Sequence, residues 1–240
     1  MSSPERNAEA VARLDAVTRR LRRECPWDRE QDERSIVPHT VEEAYELAEA
    51  AELSDDGKLL DELGDVLFQV HFLSLLLEER EAGDMATVAE NCRAKLIRRH
   101  PHVFGEGGDP TTAVEVLRNW DRIKVEEEGG EATGPFGDLP ENLPSLLYAR
   151  KVQRRAASRI DETGLAPDAL EAAGLARSAI AELEALAAEA GENPATRVPE
   201  IEKALGEALF ALVDAARQLR CDPELALRAA AREFRAGHES

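Results

Sequence analysis

At 240 residues the chain is long enough to bury a substantial core, and its length predicts one or two domains. Its formal net charge of −19 argues against general affinity for nucleic acid or for anionic membranes. No apolar run approaches the roughly 20 residues that span a bilayer, and the polar N-terminus lacks the apolar stretch of a signal peptide. The three cysteines are far apart and odd in number, which favours reduced thiols and a cytoplasmic location.

Aromatic residues make up only 4% of the chain, whereas Ala, Leu, Glu and Arg are abundant, and this composition predicts an all-α fold. Apolar residues in steps of three and four predict a first helix over residues 4–24. The next stretch, CPWDREQDERSIVPH (25–39), contains two prolines and is predicted to be a loop. Thr40 is then predicted to cap the following helix, with Glu43 completing a capping box.

The most unusual stretch is TVEEAYELAEAAELSDDGKLLDELGDVLFQ (40–69), which predicts two helices joined by a turn at SDDG (54–57). It contains two carboxylate pairs with the same three-residue spacing, Glu43 with Glu46 and Glu62 with Asp65. That spacing places both members of a pair on one face of a helix. If the turn makes the helices antiparallel, the two pairs are offset along the axis by roughly 4–5 Å, which side chains can span.

Four converging carboxylates repel one another, and their burial without compensation is costly. A hard divalent cation with oxygen ligands, Mg²⁺ first and Mn²⁺ second, is the natural compensation. A di-iron site would have histidine in place of Glu46 and Asp65, so iron is not expected. The alternative is a solvent-exposed acidic helix face, and the spacing alone does not decide between the two.

The helix predicted over residues 58–80 has apolar residues in alternating steps of four and three, which is typical of a buried seam: Leu59, Leu63, Val66, Val70, Leu73 and Leu77. Glu62 and Asp65 lie on a polar line beside this seam. Charges that border a buried seam are less expected of a fully solvated face, which favours a functional site. His71 falls among apolar residues and is predicted to be a core histidine with satisfied hydrogen bonds, not a ligand.

A helix predicted over residues 85–99 ends in a basic cluster, Lys95, Arg98 and Arg99, and is followed by a Pro/Gly-rich loop (98–110). The helix dipole explains such cations, but they also suit anionic oxygens. His100 and His102 in this loop are only weak indications of a metal. On the next predicted helix (112–128), Trp120 and Lys124 are one turn apart, so Trp120 is either a core residue or a platform that grips a base while Lys124 contacts a phosphate.

The second half of the chain is predicted to be a degenerate copy of the first. The Gly/Pro-rich segment GGEATGPFGDLPENLP (129–144) predicts a linker between a catalytic domain (1–128) and a second helical domain (145–240). ELGDVLF (62–68) recurs as ALGEALF (204–210), and SAIAE (178–182) stands where EEAYE (42–46) stands in the first copy. We therefore expect two related helical-bundle modules of four to five helices each.

EEAYE followed by ELGD, preceded by CPWDREQ and followed by KLIRRHPHVFG (95–105), resembles the MazG family of nucleoside triphosphate pyrophosphohydrolases. The resemblance runs over residues 14–124 and continues more weakly through the second copy. It implies an all-α fold that holds Mg²⁺ on its EExxE and ExxD helices. It also implies homodimers and hydrolysis of a nucleoside triphosphate to the monophosphate and pyrophosphate, a house-cleaning reaction of the nucleotide pool.

By this resemblance the metal ligands are Glu43, Glu46, Glu62 and Asp65. The positions near the phosphates and the base are Lys58, Asp61, Lys95, Arg98, Arg99, Trp120 and Lys124. A carboxylate that is not fully engaged by metal can accept the proton of the attacking water. Our hypothesis assigns this role to Glu42 or Glu46.

The second copy has Ser178, Ala179 and Ala204 in place of three glutamates, so it is predicted to be catalytically inactive and to serve packing or dimerisation. A different class of function remains open, namely a helical nucleotide- or Mg²⁺-binding regulatory or interaction protein without turnover. A narrower enzyme that acts on dUTP, dCTP or an oxidised nucleotide is a further alternative. Retention of all four carboxylates together with Lys95 and Arg98 favours turnover.

Overall fold

The computed structural model describes residues 3–105, 112–127, 136, 139–160, 168–190 and 197–239. These residues form α-helices joined by short connections, without a strand in the described ranges, which confirms the all-α prediction. The chain divides into two compact units, Met1–Arg98 and Arg99–Ser240. Most of the predicted linker, residues 129–135 and 137–138, lies outside the described residues, so the predicted domain division stays a prediction.

The first unit contains α1 (Pro4–Glu24), α2 (Pro26–Glu30), α3 (Glu33–Leu53), α4 (Asp56–Glu79) and α5 (Met85–Arg99, whose last residue begins the second unit). The second unit contains α6 (Pro101–Phe104), α7 (Ala113–Glu127), α8 (Ser145–Ile160), α9 (Ala169–Ala190), α10 (Val198–Gln218) and α11 (Pro223–His238). Every described helix is either too short or too polar to traverse a lipid bilayer.

The prediction of a loop over residues 25–39 is wrong, because α2 and the first turns of α3 occupy this segment. Asp32 caps α3 in a reciprocal capping box with Ser35, and this box satisfies backbone N–H groups at the helix start. Pro38 lies inside α3, where the burial of Ile36 in the core stabilises the additional turns. Thr40 is therefore not a cap, and its hydroxyl donates to the Ile36 carbonyl at 3.3 Å.

The core of the first unit is an apolar cluster between α3 and α4. Ile36, Phe72 and Leu76 are buried at its centre, with Phe68 and Leu73 packed against them. Helix α1 also packs against α4. The Arg22 guanidinium of α1 lies 5.7 Å from the centroid of the Phe72 ring.

The buried side of α4 differs from the predicted seam. Leu63 and Val70, two of the six seam residues, are 49% and 37% exposed, whereas Glu62, Gln69 and Phe72 are buried. Helices α1 and α3 pack on the side of α4 that carries Glu62 and Phe72. Glu62 on the polar line predicted to border the seam is thus part of the buried surface, whereas Asp65 on the same line is exposed.

His71 occupies a core position, as predicted, but its hydrogen bonds are not satisfied. It is 2% exposed, and among the described residues neither ring nitrogen has a hydrogen-bond partner. Its Nδ1 lies 3.7 Å from Oδ1 of Asp15 on α1, beyond hydrogen-bond distance.

The second unit is built around the pair α9 and α10, with α8 packed against α10 and both α7 and α11 packed against α8. Gln153 on α8 ties these helices together, because its Nε2 donates to the Phe210 carbonyl of α10 at 2.6 Å. Arg155, 2% exposed, donates to the Phe136 carbonyl and so fixes this residue beside α8.

Candidate functional site

The connection between α3 and α4 sets the geometry of the site. Ser54 ends α3 in the left-handed conformation with φ of 55°. The Asp55 carboxylate then caps α4 by accepting from the backbone N–H groups of Gly57 and Lys58, each at 3.0 Å. A connection this short makes the two packed helices antiparallel neighbours, as the turn at residues 54–57 predicts.

Three of the four predicted metal ligands meet between α3 and α4. One carboxylate oxygen from each of Glu43, Glu62 and Asp65 lies within 4.8 Å of the other two. Glu62 is 5% exposed, Glu43 is half-buried and Asp65 faces solvent, so the cluster opens from a buried floor to the surface. Glu46 is exposed and is not part of this group of three.

The cluster is electrostatically strained. Burial is the largest cause that raises the pKa of Glu43. Repulsion from the Asp65 carboxylate is the next, and the Glu46 carboxylate adds to it. Burial is the largest cause that raises the pKa of Glu62, and repulsion from Glu46 is the next. The Lys58 ammonium opposes this rise. Raised pKa values of this origin are typical of a carboxylate group that a nearby positive charge would stabilise.

The chemistry of this donor set fits a hard divalent cation. All the donors are carboxylate oxygens, which Mg²⁺ and Mn²⁺ prefer over the softer nitrogen and sulfur ligands. Because Glu43 sits in the middle of α3, far from the cap at Asp32, no helix-capping role competes with metal binding. The capping function predicted for Glu43 is therefore corrected.

The metal-free protein is expected to lose stability as the pH rises above 4.5, the ordinary value for glutamate. Since the folded-state pKa values of Glu43 and Glu62 are raised, the folded state still holds protons at a pH where the unfolded chain has released them. The contribution of these two glutamates to the stability of the fold is therefore complete below pH 4.5. It is lost as the pH rises through their folded-state pKa values. The test compares thermal midpoints of the wild type and Glu43→Gln/Glu62→Gln in EDTA. The thermal midpoint of the variant should rise relative to that of the wild type between pH 4.5 and neutrality. A difference in midpoint that does not depend on pH would contradict the raised pKa values.

The remaining candidates around the cluster have different partners. Lys58 Nζ donates to Glu49 at 2.8 Å, so this cation is held by a glutamate that the sequence did not single out. Glu42 is exposed, and its Oε2 lies 3.1 Å from Nδ1 of His39. Asp61 is exposed.

Gln69 is a buried polar residue of α4 that sequence reasoning did not single out. It lies one helical turn beyond Asp65 on α4, is 6% exposed, and its Oε1 has no hydrogen-bond partner among the described residues. The available signal was its place on the same polar line as Glu62 and Asp65, at the same helical spacing.

The basic end of α5 carries two exposed cations, Lys95 and Arg98. At its other end α5 contacts α4, where the Met85 sulfur lies 3.6 Å from the Ser74 hydroxyl.

Arg99 is buried and paired with side chains of the second unit. It is 8% exposed, and its Nε and Nη2 donate to the Glu127 carboxylate at 2.8 and 2.6 Å. Its guanidinium also lies 4.9 Å from the Trp120 ring centroid, and Lys124 Nζ lies 5.9 Å from the same centroid. Trp120 is half-buried, so it is neither a full core residue nor a fully exposed platform.

Replacing Arg99 by methionine is expected to lower the free energy of unfolding by about 1.5–3 kcal/mol, the range for hydrogen bonds to charged groups. The methionine keeps the apolar stem but leaves the Glu127 carboxylate without the guanidinium. Urea denaturation of Arg99→Met beside Arg98→Met, a change at the neighbouring exposed arginine, makes the comparison. Equal losses for the two variants would contradict an anchoring role for Arg99.

The described residues of the second unit do not repeat the carboxylate cluster. Ala204, 4% exposed, stands at the position of buried Glu62, and Ala179 stands at the position of Glu43. Glu207 matches Asp65, is exposed, and lies 3.7 Å from Lys203 on its own helix. No group of three metal-ligating side chains occurs among the described residues of this unit.

An all-α fold with a half-buried carboxylate cluster between two antiparallel helices has the features expected of a helical metal-dependent protein. Residues 31–104 match the family model described as the MazG nucleotide pyrophosphohydrolase domain. All four predicted metal ligands, together with Lys95 and Arg98, fall inside this match.

Characterised relatives extend the similarity over most of the chain. It is 35% identical over 229 residues to the nucleoside triphosphate pyrophosphohydrolase of Escherichia coli strain K12, a match that covers 93% of this chain and 84% of that protein. It is 36% identical over 210 residues to the nucleoside triphosphate pyrophosphohydrolase/pyrophosphatase MazG of Thermotoga maritima, covering 88% and 76%. A nucleoside triphosphate pyrophosphohydrolase of Mycolicibacterium smegmatis is 32% identical over 171 residues, covering 70% and 50%.

The chain therefore belongs to the MazG family of nucleotide pyrophosphohydrolases. Membership in this family of hydrolases, together with the carboxylate cluster, implies a divalent metal cofactor.

Proposed function

We propose that this chain hydrolyses nucleoside triphosphates between the α and β phosphates, releasing the monophosphate and pyrophosphate, at the carboxylate cluster of α3 and α4. The observation that carries the proposal is the convergence of Glu43, Glu62 and Asp65 within 4.8 Å in a member of a pyrophosphohydrolase family. Mg²⁺ is the proposed cation and Mn²⁺ the second choice, because the donors are all carboxylates.

In this proposal Glu43, Glu62 and Asp65 hold the cation, and exposed Glu46 completes the ligand set at its open side. A bound divalent cation supplies charge neutralisation on phosphate oxygens and lowers the pKa of a coordinated water. Glu46 and Glu42 are the candidates for accepting the proton of the attacking water. Glu46 is the better placed of the two, because its charge acts on both Glu43 and Glu62, whereas Glu42 lies against His39.

The proposed contacts to the substrate follow the charges on the chain. Lys58, Lys95 and Arg98 bind the phosphates, with Asp61 beside Lys58, and Trp120 with Lys124 contacts the base. Arg99 acts by anchoring α7 through Glu127 and Trp120, which supports an indirect role in substrate binding. The net charge of −19 supports the absence of a nucleic-acid partner, and the cytoplasmic location remains a prediction.

The homodimer is proposed from an exposed apolar stripe on α4. Leu60, Leu63, Leu67 and Val70 follow steps of three and four residues and are 73%, 49%, 38% and 37% exposed. A stripe with this spacing is typical of a helix that packs against another helix. A second copy of the chain would cover this stripe. It would also explain why Leu63 and Val70, which the sequence predicts to be buried, are exposed within one chain.

The double substitution Leu63→Asp/Val70→Asp is expected to convert the protein into a monomer of 26.3 kDa in sedimentation equilibrium, because two charges in an apolar interface are not compensated. Val103→Asp changes another exposed apolar residue, 62% accessible and outside the stripe, and should leave the oligomer intact. A wild type that sediments as a strict monomer would contradict the proposed dimer.

The proposed activity is tested by incubating the purified protein with a panel of ribo- and deoxyribonucleoside triphosphates and assaying pyrophosphate and orthophosphate separately. Pyrophosphate release that stops with EDTA and returns with Mg²⁺ supports the proposal. Orthophosphate release would contradict the bond assigned. Nucleotide binding without either product would instead indicate a regulatory binding protein, and the panel also identifies the preferred base and sugar.

A further inference from the structure

The second unit contains a cavity of about 410 Å³ between α8, α9 and α10, lined in part by Phe136, Gln153, Ala172 and Phe210. Its wall is almost entirely apolar, and most of the other lining residues are alanine, valine or leucine. Cavities of this size with few polar groups are typical of small-molecule sites in proteins. The carboxylate cluster of the first unit is built from other residues and is not part of this cavity.

The cavity coincides with the positions that form the core of the first unit. In the alignment of the two sequence copies, Ile36 corresponds to Ala172 and Phe72 to Asp214. Ile36 and Phe72 are 1% and 0% exposed, so two of the largest core side chains are replaced by a small one and a charged one. Phe210, the counterpart of Phe68, keeps its aromatic ring and lines the cavity.

One uncharged polar side chain at the cavity has an unused hydrogen-bond acceptor. Gln153 is 6% exposed, and its Nε2 donates to the Phe210 carbonyl at 2.6 Å. That bond identifies the other amide atom as the oxygen, and this Oε1 has no hydrogen-bond partner in the part of the chain that the structure describes. Buried polar atoms without partners are uncommon, and a ligand with an N–H or O–H donor would supply the missing bond.

The charges at the cavity cancel one another. Arg217 donates from both Nε and Nη2 to Oδ1 of Asp214, at 2.8 and 2.6 Å, so the cation and the carboxylate are already paired. An anionic triphosphate would lack an available cation there, and a cationic ligand would lack an available anion. The cavity therefore suits a neutral molecule.

We propose that this cavity binds a neutral, planar heteroaromatic molecule through apolar contact with Phe136 and Phe210 and through a ring N–H donated to Gln153. Flat rings bury large apolar area and pack against phenyl side chains in offset or edge-on arrangements. The buried acceptor selects rings with a donor over pure hydrocarbons, because an unpaired acceptor is costly.

The probes are indole, which has a ring N–H, and indene, a hydrocarbon of the same shape without one. Isothermal titration calorimetry on the full-length protein should show both binding, with indole about five- to tenfold tighter, the value of one neutral hydrogen bond. Absence of binding by either probe up to its solubility limit would overturn the proposal, and equal affinity would overturn the role of Gln153.

Two sets of variants separate the apolar cavity from the hydrogen bond. Gln153→Met keeps the side-chain volume and should remove the preference for indole while indene still binds. Ala172→Ile/Asp214→Phe restores the residues of the first unit, fills the cavity and should abolish binding of both probes. Ala156→Leu, at another lining position, gives the same test if the double variant does not fold. Undiminished binding by a folded, filled variant would overturn the assignment.

Discussion

Replacing Glu62 by glutamine is expected to abolish nucleoside triphosphate hydrolysis and at the same time to stabilise the metal-free protein at neutral pH. Glu62 is the buried floor of the carboxylate cluster, 5% exposed, and burial and repulsion raise its pKa. Glutamine has nearly the same shape without the negative charge, so it removes the repulsion with Glu46 and Asp65. The loss of activity and the gain in stability have the same electrostatic cause.

The expected loss of activity exceeds about 100-fold, since removal of an outer-shell partner of a metal ligand alone typically costs about 10–100-fold. Rates of pyrophosphate release measure the first effect. Thermal midpoints in EDTA and in Mg²⁺ measure the second, and the stabilisation by Mg²⁺ expected for the wild type should disappear in Glu62→Gln.

Glu207→Gln is the matched control. Glu207 occupies the position of Asp65 in the second copy, is exposed, and pairs loosely with Lys203 at 3.7 Å. Its substitution should change neither the rate nor the response to Mg²⁺. An active Glu62→Gln together with an inactive Glu207→Gln would place the working site in the second half of the chain and would overturn the assignment.

Truncation of Phe72 to alanine is expected to lower the free energy of unfolding of the first unit by about 3–5 kcal/mol, the cost of removing a buried aromatic side chain. Phe72 is 0% exposed and belongs with Ile36 and Leu76 to the core between α3 and α4, the two helices that carry the carboxylates. Loss of this packing should also loosen the register between α3 and α4 and weaken metal binding.

The control for this prediction is Phe104→Ala, the same chemical change at a residue that is 61% exposed. It should cost no more than about 0.5 kcal/mol, as surface substitutions usually do. Urea denaturation of both variants makes the comparison. Similar losses would show that the interior of the first unit is not organised around Phe72.

Much of the fold could be predicted from apolar periodicity. The helices predicted over residues 4–24 and 85–99 have those same bounds in the structure. The segment 25–39 could not be predicted from its two prolines alone, because Pro26 begins one helix and Pro38 lies within the next. The capping box of Asp32 and Ser35 was the local signal for the true helix start.

The packing of α4 could not be predicted from periodicity, because the helix has apolar residues on two sides. Its sequence is compatible with burial of the Leu63 and Val70 stripe or of the Phe72 side, and only the positions of α1 and α3 decide. The same limit applies to Lys58, whose pairing with Glu49 depends on the angle of the turn between α3 and α4.

The candidate site was better defined by the sequence than the packing around it. The three-residue spacing on two antiparallel helices predicts that the carboxylates converge, and Glu43, Glu62 and Asp65 do so, whereas Glu46 is not part of the group. The contacts of Arg99 depend on α7, an element distant in sequence, and could not be read from the basic cluster at the end of α5.

The measurement that tests the central claim most directly is a ³¹P NMR spectrum of the complete product mixture from one nucleoside triphosphate, the wild-type protein and Mg²⁺. Cleavage between the α and β phosphates predicts equal amounts of nucleoside monophosphate and pyrophosphate, and none in a parallel sample with Glu62→Gln. Resonances of nucleoside diphosphate and orthophosphate, or undiminished products with Glu62→Gln, would contradict the account.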